Sequence, residues 1–222
     1  MTLVPSQVSC PRCDRDLRPP DLMSSAWRCA IHGAVAPLHV ASRIGPEVLD
    51  AVRRNSGVPM WMPWPMLPGW TVTGAAWAGD ERRPASATAV ACAGPAPLGG
   101  LADIVLVAEE PGTGLGANLA GLDGPDPGKL LTDALETTNA HAKVLAAGHP
   151  TPLWSIQAAD DRSVYVGEAR GLWLWAIAWP AHAGYVLAED LVLQDLRDGV
   201  PAPVLFGAPS PYLRGRSASP PR

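Results

Sequence analysis

Leu172-Trp173-Leu174-Trp175-Ala176-Ile177-Ala178-Trp179 is an unbroken, uncharged run. Read as a β-strand, it sets Trp173, Trp175, Ile177 and Trp179 on one face and Leu172, Leu174, Ala176 and Ala178 on the other. Neither face is polar, so the strand must be covered on both sides and lie centrally in a sheet. Working back from it, Ser163 to Gly167 reads as a second strand and Ala159-Asp160-Asp161-Arg162 as an acidic turn. Pro152-Leu153-Trp154-Ser155-Ile156-Gln157 reads as a first strand.

The same order occurs earlier in the chain. Pro68-Gly69-Trp70-Thr71-Val72-Thr73 begins a strand, Gly79-Asp80-Glu81-Arg82 is an acidic turn, and Ala87 to Ala93 and Ala102 to Ala108 are further strands. Two similar three-stranded antiparallel meanders are the simplest account. A helix is expected over Ala188 to Asp198 as a cover for the central strand, with Ala188, Leu191, Val192 and Leu196 at helical spacing and Gly199 as its stop. Another is expected over Pro46 to Asn55: proline opens it, Glu47 is in the first turn, Arg53 and Arg54 are in the last, and Val48, Leu49 and Val52 make its stripe. After Phe206 the chain is rich in proline and serine, and residues 207–222 are expected to be disordered.

Between these parts, prolines 59, 63, 65 and 68 force an extended backbone on residues 58–70. Two readings stand for this strap. Its large side chains form the lid of the main core, since nine tryptophans against one phenylalanine make tryptophan the main core filler. Alternatively, Met60, Trp61, Met62 and Trp64 face a partner or ligand.

Near the N-terminus stand Cys10-Pro11-Arg12-Cys13 and, after fifteen intervening residues, Cys29-Ala30-Ile31-His32-Gly33. Two such pairs match the knuckles of a zinc ribbon, with Cys10, Cys13, Cys29 and His32 as the ligands. Three thiolates and one imidazole make a closed tetrahedral zinc site that staples the fold and leaves no position for substrate. Ser25 to Cys29 and Val35 to Val40 read as ribbon strands, and Trp27 as a cover for the metal.

The net charge of −4 conceals a gradient: +2 over residues 1–45, +3 over residues 207–222 and −9 between them. An acidic body argues against nucleic-acid binding by the whole protein and leaves the ribbon as the one part suited to it, provided that Arg12, Arg15, Arg18 and Arg28 share a face. The first ten residues lack the basic start and apolar run of a secretory segment, so a cytoplasmic protein with reduced thiols is expected. Cys92, among alanines, then reads as a buried, inert thiol. Gly171 to Ala188 is uncharged but contains Pro180, His182 and Gly184, which argues against a membrane span.

Few residues invite catalysis. Gly112, Gly114 and Ala117 fit the spacing of a dinucleotide fingerprint, with Gly116 in the same loop. However, Glu109, Glu110 and Pro111 separate the loop from the strand, and Gly121 follows too soon for a full helix. It reads as a glycine-rich connection. Asp123-Gly124-Pro125-Asp126-Pro127-Gly128 reads as turns. His141 and His149 lack a partner acid or nucleophile, and adjacent Glu109 and Glu110 point to opposite faces.

Several motifs together carry a resemblance: Cys-Pro-x-Cys (10–13), Trp-x-Cys-x-x-His-Gly (27–33), Val-Pro-x-Trp-Met-Pro-Trp-Pro (58–65), Gly-Pro-x-Pro-Leu-Gly-Gly (94–100), Gly-Leu-Gly-Ala (114–117), Ala-Lys-Val-Leu-Ala-Ala-Gly (142–148) and Gly-Leu-Trp-Leu-Trp-Ala (171–176). With Asp123–Gly128, they make the chain, apart from its tail, resemble an actinobacterial family of unknown function. Members of that family sometimes carry a phosphotransacetylase label. The resemblance implies no activity, and the β-rich pattern gives that label no support.

The fold expected is α+β: a zinc ribbon (1–45), a linker helix (46–57), a mainly antiparallel, tryptophan-rich β domain (58–206) and a tail (207–222). The function expected is a non-catalytic interaction or regulatory module with a protein partner and zinc as its cofactor. The rival is a small-molecule site or enzyme with a pocket near Trp61, Trp64, Glu109, Gly112, Gly114 and Gly116.

Overall fold

The computed structural model describes residues 8–22, 24–188 and 191–213. A short hairpin of β1 (Arg28–Cys29) and β2 (Gly33–Ala34) is followed by β3 (Leu38–Val40), helix α1 (Pro46–Arg54) and β4 (Trp61–Pro63) in the strap. Next come β5 (Thr71–Asp80), β6 (Arg83–Pro95), β7 (Leu101–Glu109), helix α2 (Leu115–Ala120) and helix α3 (Gly128–Thr137). The chain continues through β8 (Ala142–Ala146), β9 (His149–Ile156), β10 (Ser163–Ala169), β11 (Leu172–Trp179) and β12 (Val192–Asp195).

All strands from β3 onward join one ten-stranded sheet in the order β3-β5-β6-β7-β11-β10-β9-β8-β12-β4. Neighbours are antiparallel except β8 and β12. The meanders β5-β6-β7 and β9-β10-β11 meet through their third strands, with Trp173 opposite Glu109 and Trp179 opposite Asp103. β11 is therefore central, as its two apolar faces require. Trp175, Ile177 and Trp179 join a core with Val105, Val107 and α2, whereas Leu174, Ala176 and Ala178 join one with Ile104, Leu106, α1 and the strap.

β9 turns the sheet over. Its C-terminal part, Trp154 to Ile156, pairs with β10, and its N-terminal part, with Pro150 and Pro152, pairs with β8. Through β8 the sheet continues into β12 and β4, whose Met62 and Leu193 lie in the same core as β7 and β11. α1 contributes the expected Val48, Leu49 and Val52 to that core.

Several expectations need correction. Val35 to Val40 is shared between the ribbon and the sheet: Val35 N–H donates to the Trp27 carbonyl (3.1 Å) and Leu38 exchanges hydrogen bonds with Ser9, but Leu38–Val40 is also an edge of the large sheet, paired with Ala76 to Ala78. No helix spans Ala188 to Asp198. A 3-10 helix (Ala181–Ala188) precedes β12 and a single 3-10 turn follows it, while Glu189 and Asp190 lie outside the described residues. The alternation of buried Leu191, Leu193 and Asp195 with more open Val192 and Gln194 is that of a strand, which outweighs the helical spacing there. The tail packs as far as Leu213. Gly207 N–H donates to the Val72 carbonyl (2.9 Å), Tyr212 stacks on Trp179 with ring centroids 4.6 Å apart, and Leu213 is buried. Residues 214–222 lie outside the described residues, as do residues 1–7, on which the expected lack of a secretory segment rests.

Candidate metal centre

The first pair of cysteines sits on a tight turn in which Cys13 and Asp14 N–H both donate to the Cys10 carbonyl (3.3 and 2.8 Å). Asp14 has positive φ (56°), and Gly33 does the same for the second turn (69°), where the left-handed region favours glycine. That second turn is the tip of the β1–β2 hairpin, with Cys29 opposite Gly33. The two turns bring the four side chains together. Cys10 Sγ lies 3.5 Å from His32 Nδ1, Cys13 Sγ lies 3.7 Å from Cys29 Sγ, and Cys29 Sγ lies 3.7 Å from His32 Nδ1. All four donor atoms are within 4.8 Å of one another.

The electrostatics suit a cation. Burial pushes the Cys10 thiol up to about 12, so without a positive partner it stays protonated. Burial also acts on Cys29, but N–H groups of His32 and Ile31 outweigh it and bring that thiol down to about 6. Ile31 N–H points at its sulfur from 3.5 Å. A metal ion held here would supply the charge that lets all three sulfurs act as thiolates.

Arg12, between the first two cysteines and named above only as part of an arginine face, has a tertiary role. Its Nη2 donates to the Gly112 carbonyl and its Nε to that of Thr113 (3.3 Å). The module is thereby fastened to the glycine-rich loop. This turns Arg12 inward and takes it out of the exposed arginine face that a nucleic-acid-binding ribbon would need.

That loop is a structural joint. A helix does follow it, α2, six residues long and buried throughout. Its leading N–H groups are occupied by the protein's own carboxylate: Leu115 N–H donates to Glu109 Oε2 (2.7 Å) and Gly116 N–H to Oε1 (3.2 Å). Burial lifts Glu109 to about 7, against the pull of those N–H groups. Gly112 N–H donates to Asp126 Oδ1 (2.8 Å), which also accepts from Trp173 Nε1 (2.8 Å). Asp126, read as a turn residue, is thus a tertiary anchor. Gly114 has φ of 89°, and a Cβ on Gly116 would lie 2.3 Å from the Trp175 indole. Of the expected pocket, Glu109, Gly114 and Gly116 are packed in these contacts, whereas Gly112 lies at the edge of an open cleft.

The strap is core. Met60, Trp61 and Met62 are 0–1% exposed, and Trp64 is half-buried against the same cluster, so the first of the two readings holds. Asp195 fixes it: Oδ1 accepts Met60 N–H (3.0 Å), and Arg197 Nη2 lies 2.7 Å from Oδ2. Burial would raise this carboxyl, but Arg197 and the backbone donors hold it below its ordinary value. Cys92 is fully buried, its thiol pushed up to about 12 by that burial. His141 Nδ1 accepts Ser155 N–H (3.1 Å), and His149 is exposed. Among the described residues, no helix is long and apolar enough to cross a membrane.

One open concavity adjoins the metal module. A cleft of about 650 Å³ separates the module from the β5–β6 turn and the glycine-rich loop, with Trp27, Arg82, Arg83 and Glu110 on its walls.

A closed Cys3His cluster clamped to a large, mainly antiparallel sheet defines a small α+β protein with a candidate metal site, and nothing in the site points to catalysis. The chain belongs to the DUF6758 family, a family of unknown function, which matches it over residues 4–213. No curated protein and no solved structure matches it.

Proposed function

We propose that this protein is a non-catalytic interaction or regulatory module of the cytoplasm, stapled by a structural zinc ion held by Cys10, Cys13, Cys29 and His32. The observation that carries this reading is the spacing of the donors. Zinc bonds of about 2.3 Å to sulfur and about 2.05 Å to nitrogen give tetrahedral edges of about 3.8 Å between sulfurs and about 3.6 Å from sulfur to nitrogen. Three of the six separations match, at 3.7 Å for sulfur–sulfur and 3.5 and 3.7 Å for sulfur–nitrogen, and all six are within 4.8 Å. Four protein ligands leave no coordination position for substrate, which supports a staple. Three thiolates also favour a reducing compartment.

The parts are read as a module (1–45), a helix (46–57) and a body from residue 58 onward that includes the packed residues up to 213. The module's surface carries two apolar side chains that the fold leaves open, Leu22 and Ile31 (57% exposed). They support a protein partner at this end of the molecule.

The test is metal content per chain with cobalt(II) replacement. One zinc per chain and the intense visible bands of tetrahedral thiolate-bound cobalt are expected, both lost in Cys13→Ser. Unchanged metal content in that variant would sink the zinc reading. For the partner, Ile31→Asp should abolish a specific pull-down while zinc content and thermal midpoint persist; an unchanged pull-down removes the module from the interface.

A further inference from the structure

We propose that the cleft between the metal module and the sheet binds a small organic carboxylate with a flat apolar body, which stacks on Trp27 and pairs with Arg83. Nine tryptophans occur in the chain, and eight of them pack in or against one of the two hydrophobic cores. Trp27 does neither: it is half-buried and lines the cleft. The core has not claimed this indole, and its apolar face is available to a ligand. The cleft's volume, about 650 Å³, lies in the range of small-molecule sites.

The charged groups of the cleft are not equivalent. Arg12 is spent on the carbonyls of Gly112 and Thr113, and Arg82 Nη1 on that of Ser25 (2.7 Å). Asp80 Oδ1 accepts the backbone N–H groups of Arg82 and Arg83 (2.9 and 3.1 Å), which fixes the turn that carries both arginines. The Arg83 guanidinium is exposed and, among the described residues, makes no hydrogen bond or ion pair. It is the cation left for a ligand, and its planar fork suits a carboxylate in two-point contact. Glu110, the other acid of the cleft, is exposed and repels an anion there, which sets a sign that can be tested.

The inference rests on the module being docked as the zinc reading has it, because Trp27 moves with the module, but it needs no protein partner. The test is calorimetric titration of the full chain, at measured zinc stoichiometry, with 2-naphthoate and with its neutral analogue 2-naphthalenemethanol. Single-site binding of the acid is expected, with the alcohol at least ~10-fold weaker because it cannot form the charge-assisted pair. Arg83→Gln and Trp27→Ala should each weaken the acid by ~10-fold or more, with zinc content and thermal midpoint unchanged. Glu110→Gln should tighten it by a factor of ~2–3. Arg83 is exposed, so its variant keeps the test valid should Trp27→Ala fail to fold. Absence of saturable binding at millimolar naphthoate, equal affinity for acid and alcohol, or an unaltered affinity in Arg83→Gln would overturn the proposal. Binding of the acid by a wild-type chain that carries no stoichiometric zinc would count against the zinc reading instead.

Discussion

Glu109→Gln offers a quantitative test of the joint beneath the metal module. Glu109 is fully buried, its two oxygens accept the N–H groups of Leu115 and Gly116, and burial raises its carboxyl from 4.5 to about 7. A folded-state value above the unfolded one means that the folded protein holds this proton more tightly. The resulting stabilisation is complete below pH 4.5 and is lost as pH rises through about 7. The gap corresponds to about 3 kcal/mol in total, of which about 2 kcal/mol falls between pH 5.5 and 8.5. Glutamine keeps a carbonyl acceptor for the helix N–H groups and cannot ionise. Urea unfolding of both proteins at saturating zinc should therefore show the wild type losing about 2 kcal/mol relative to the variant across that range. Protonation of the metal ligands is common to both and cancels in the difference. Parallel pH profiles, or a wild type that gains on the variant as pH rises, would refute the assignment of Glu109 as a buried helix cap.

Two further substitutions test the packing. Trp61→Ala removes one of the largest buried side chains and should cost about 3–5 kcal/mol of stability, read as a lower urea midpoint; a cost below about 1 kcal/mol would return the strap to the surface. Leu213→Ala should cost about 2–3 kcal/mol, because Leu213 Cδ1 occupies the space that a Cβ on Gly74 would need, with 2.3 Å between them. No change in the midpoint would mean that residues 207–213 contribute nothing to the body.

The strands were legible because their pattern is local. β11 declares its central place by having no polar face, and the acidic turns at Gly79–Arg82 and Ala159–Arg162 mark hairpins that the structure contains. The cysteine and histidine spacing named the four side chains that meet. Long-range choices were not legible. Nothing in Leu38–Val40 says that it pairs with β5 as well as with Ser9 of the module, and the proline-rich strap gave no sign that β12 would pair with it. α3 went unnoticed although Leu131, Ala134 and Leu135 stand at helical spacing, because the turn-forming run Asp123–Gly128 leads straight into it and only Leu131 is buried. The tail misled through composition. Proline and serine made it look unburied, yet Tyr212 and Leu213 are enough to seat it.

The glycine-rich loop shows why its motif misleads in this protein. Glycines spaced as in a dinucleotide site report one physical requirement, a backbone that something must approach closely. In a nucleotide-binding protein that something is a pyrophosphate at a helix N-terminus. Here Glu109, the last residue of β7, reaches over the loop and takes the same N–H groups. The carbonyls face the other way and are taken by Arg12. Gly112 N–H goes to Asp126, and Gly116 lacks a side chain because the Trp175 indole lies against it. Gly112 is explained by its backbone alone, with φ of 84° and nothing within 4 Å of where a Cβ would stand, whereas a Cβ on Gly114 would lie 2.8 Å from the Arg12 side chain. The acceptor at the helix start is a carboxyl group supplied by the strand before it. The same loop thereby connects the buried acid of the body to the cysteine-bearing turn of the module. Replacing that acid tests both the fold and the joint.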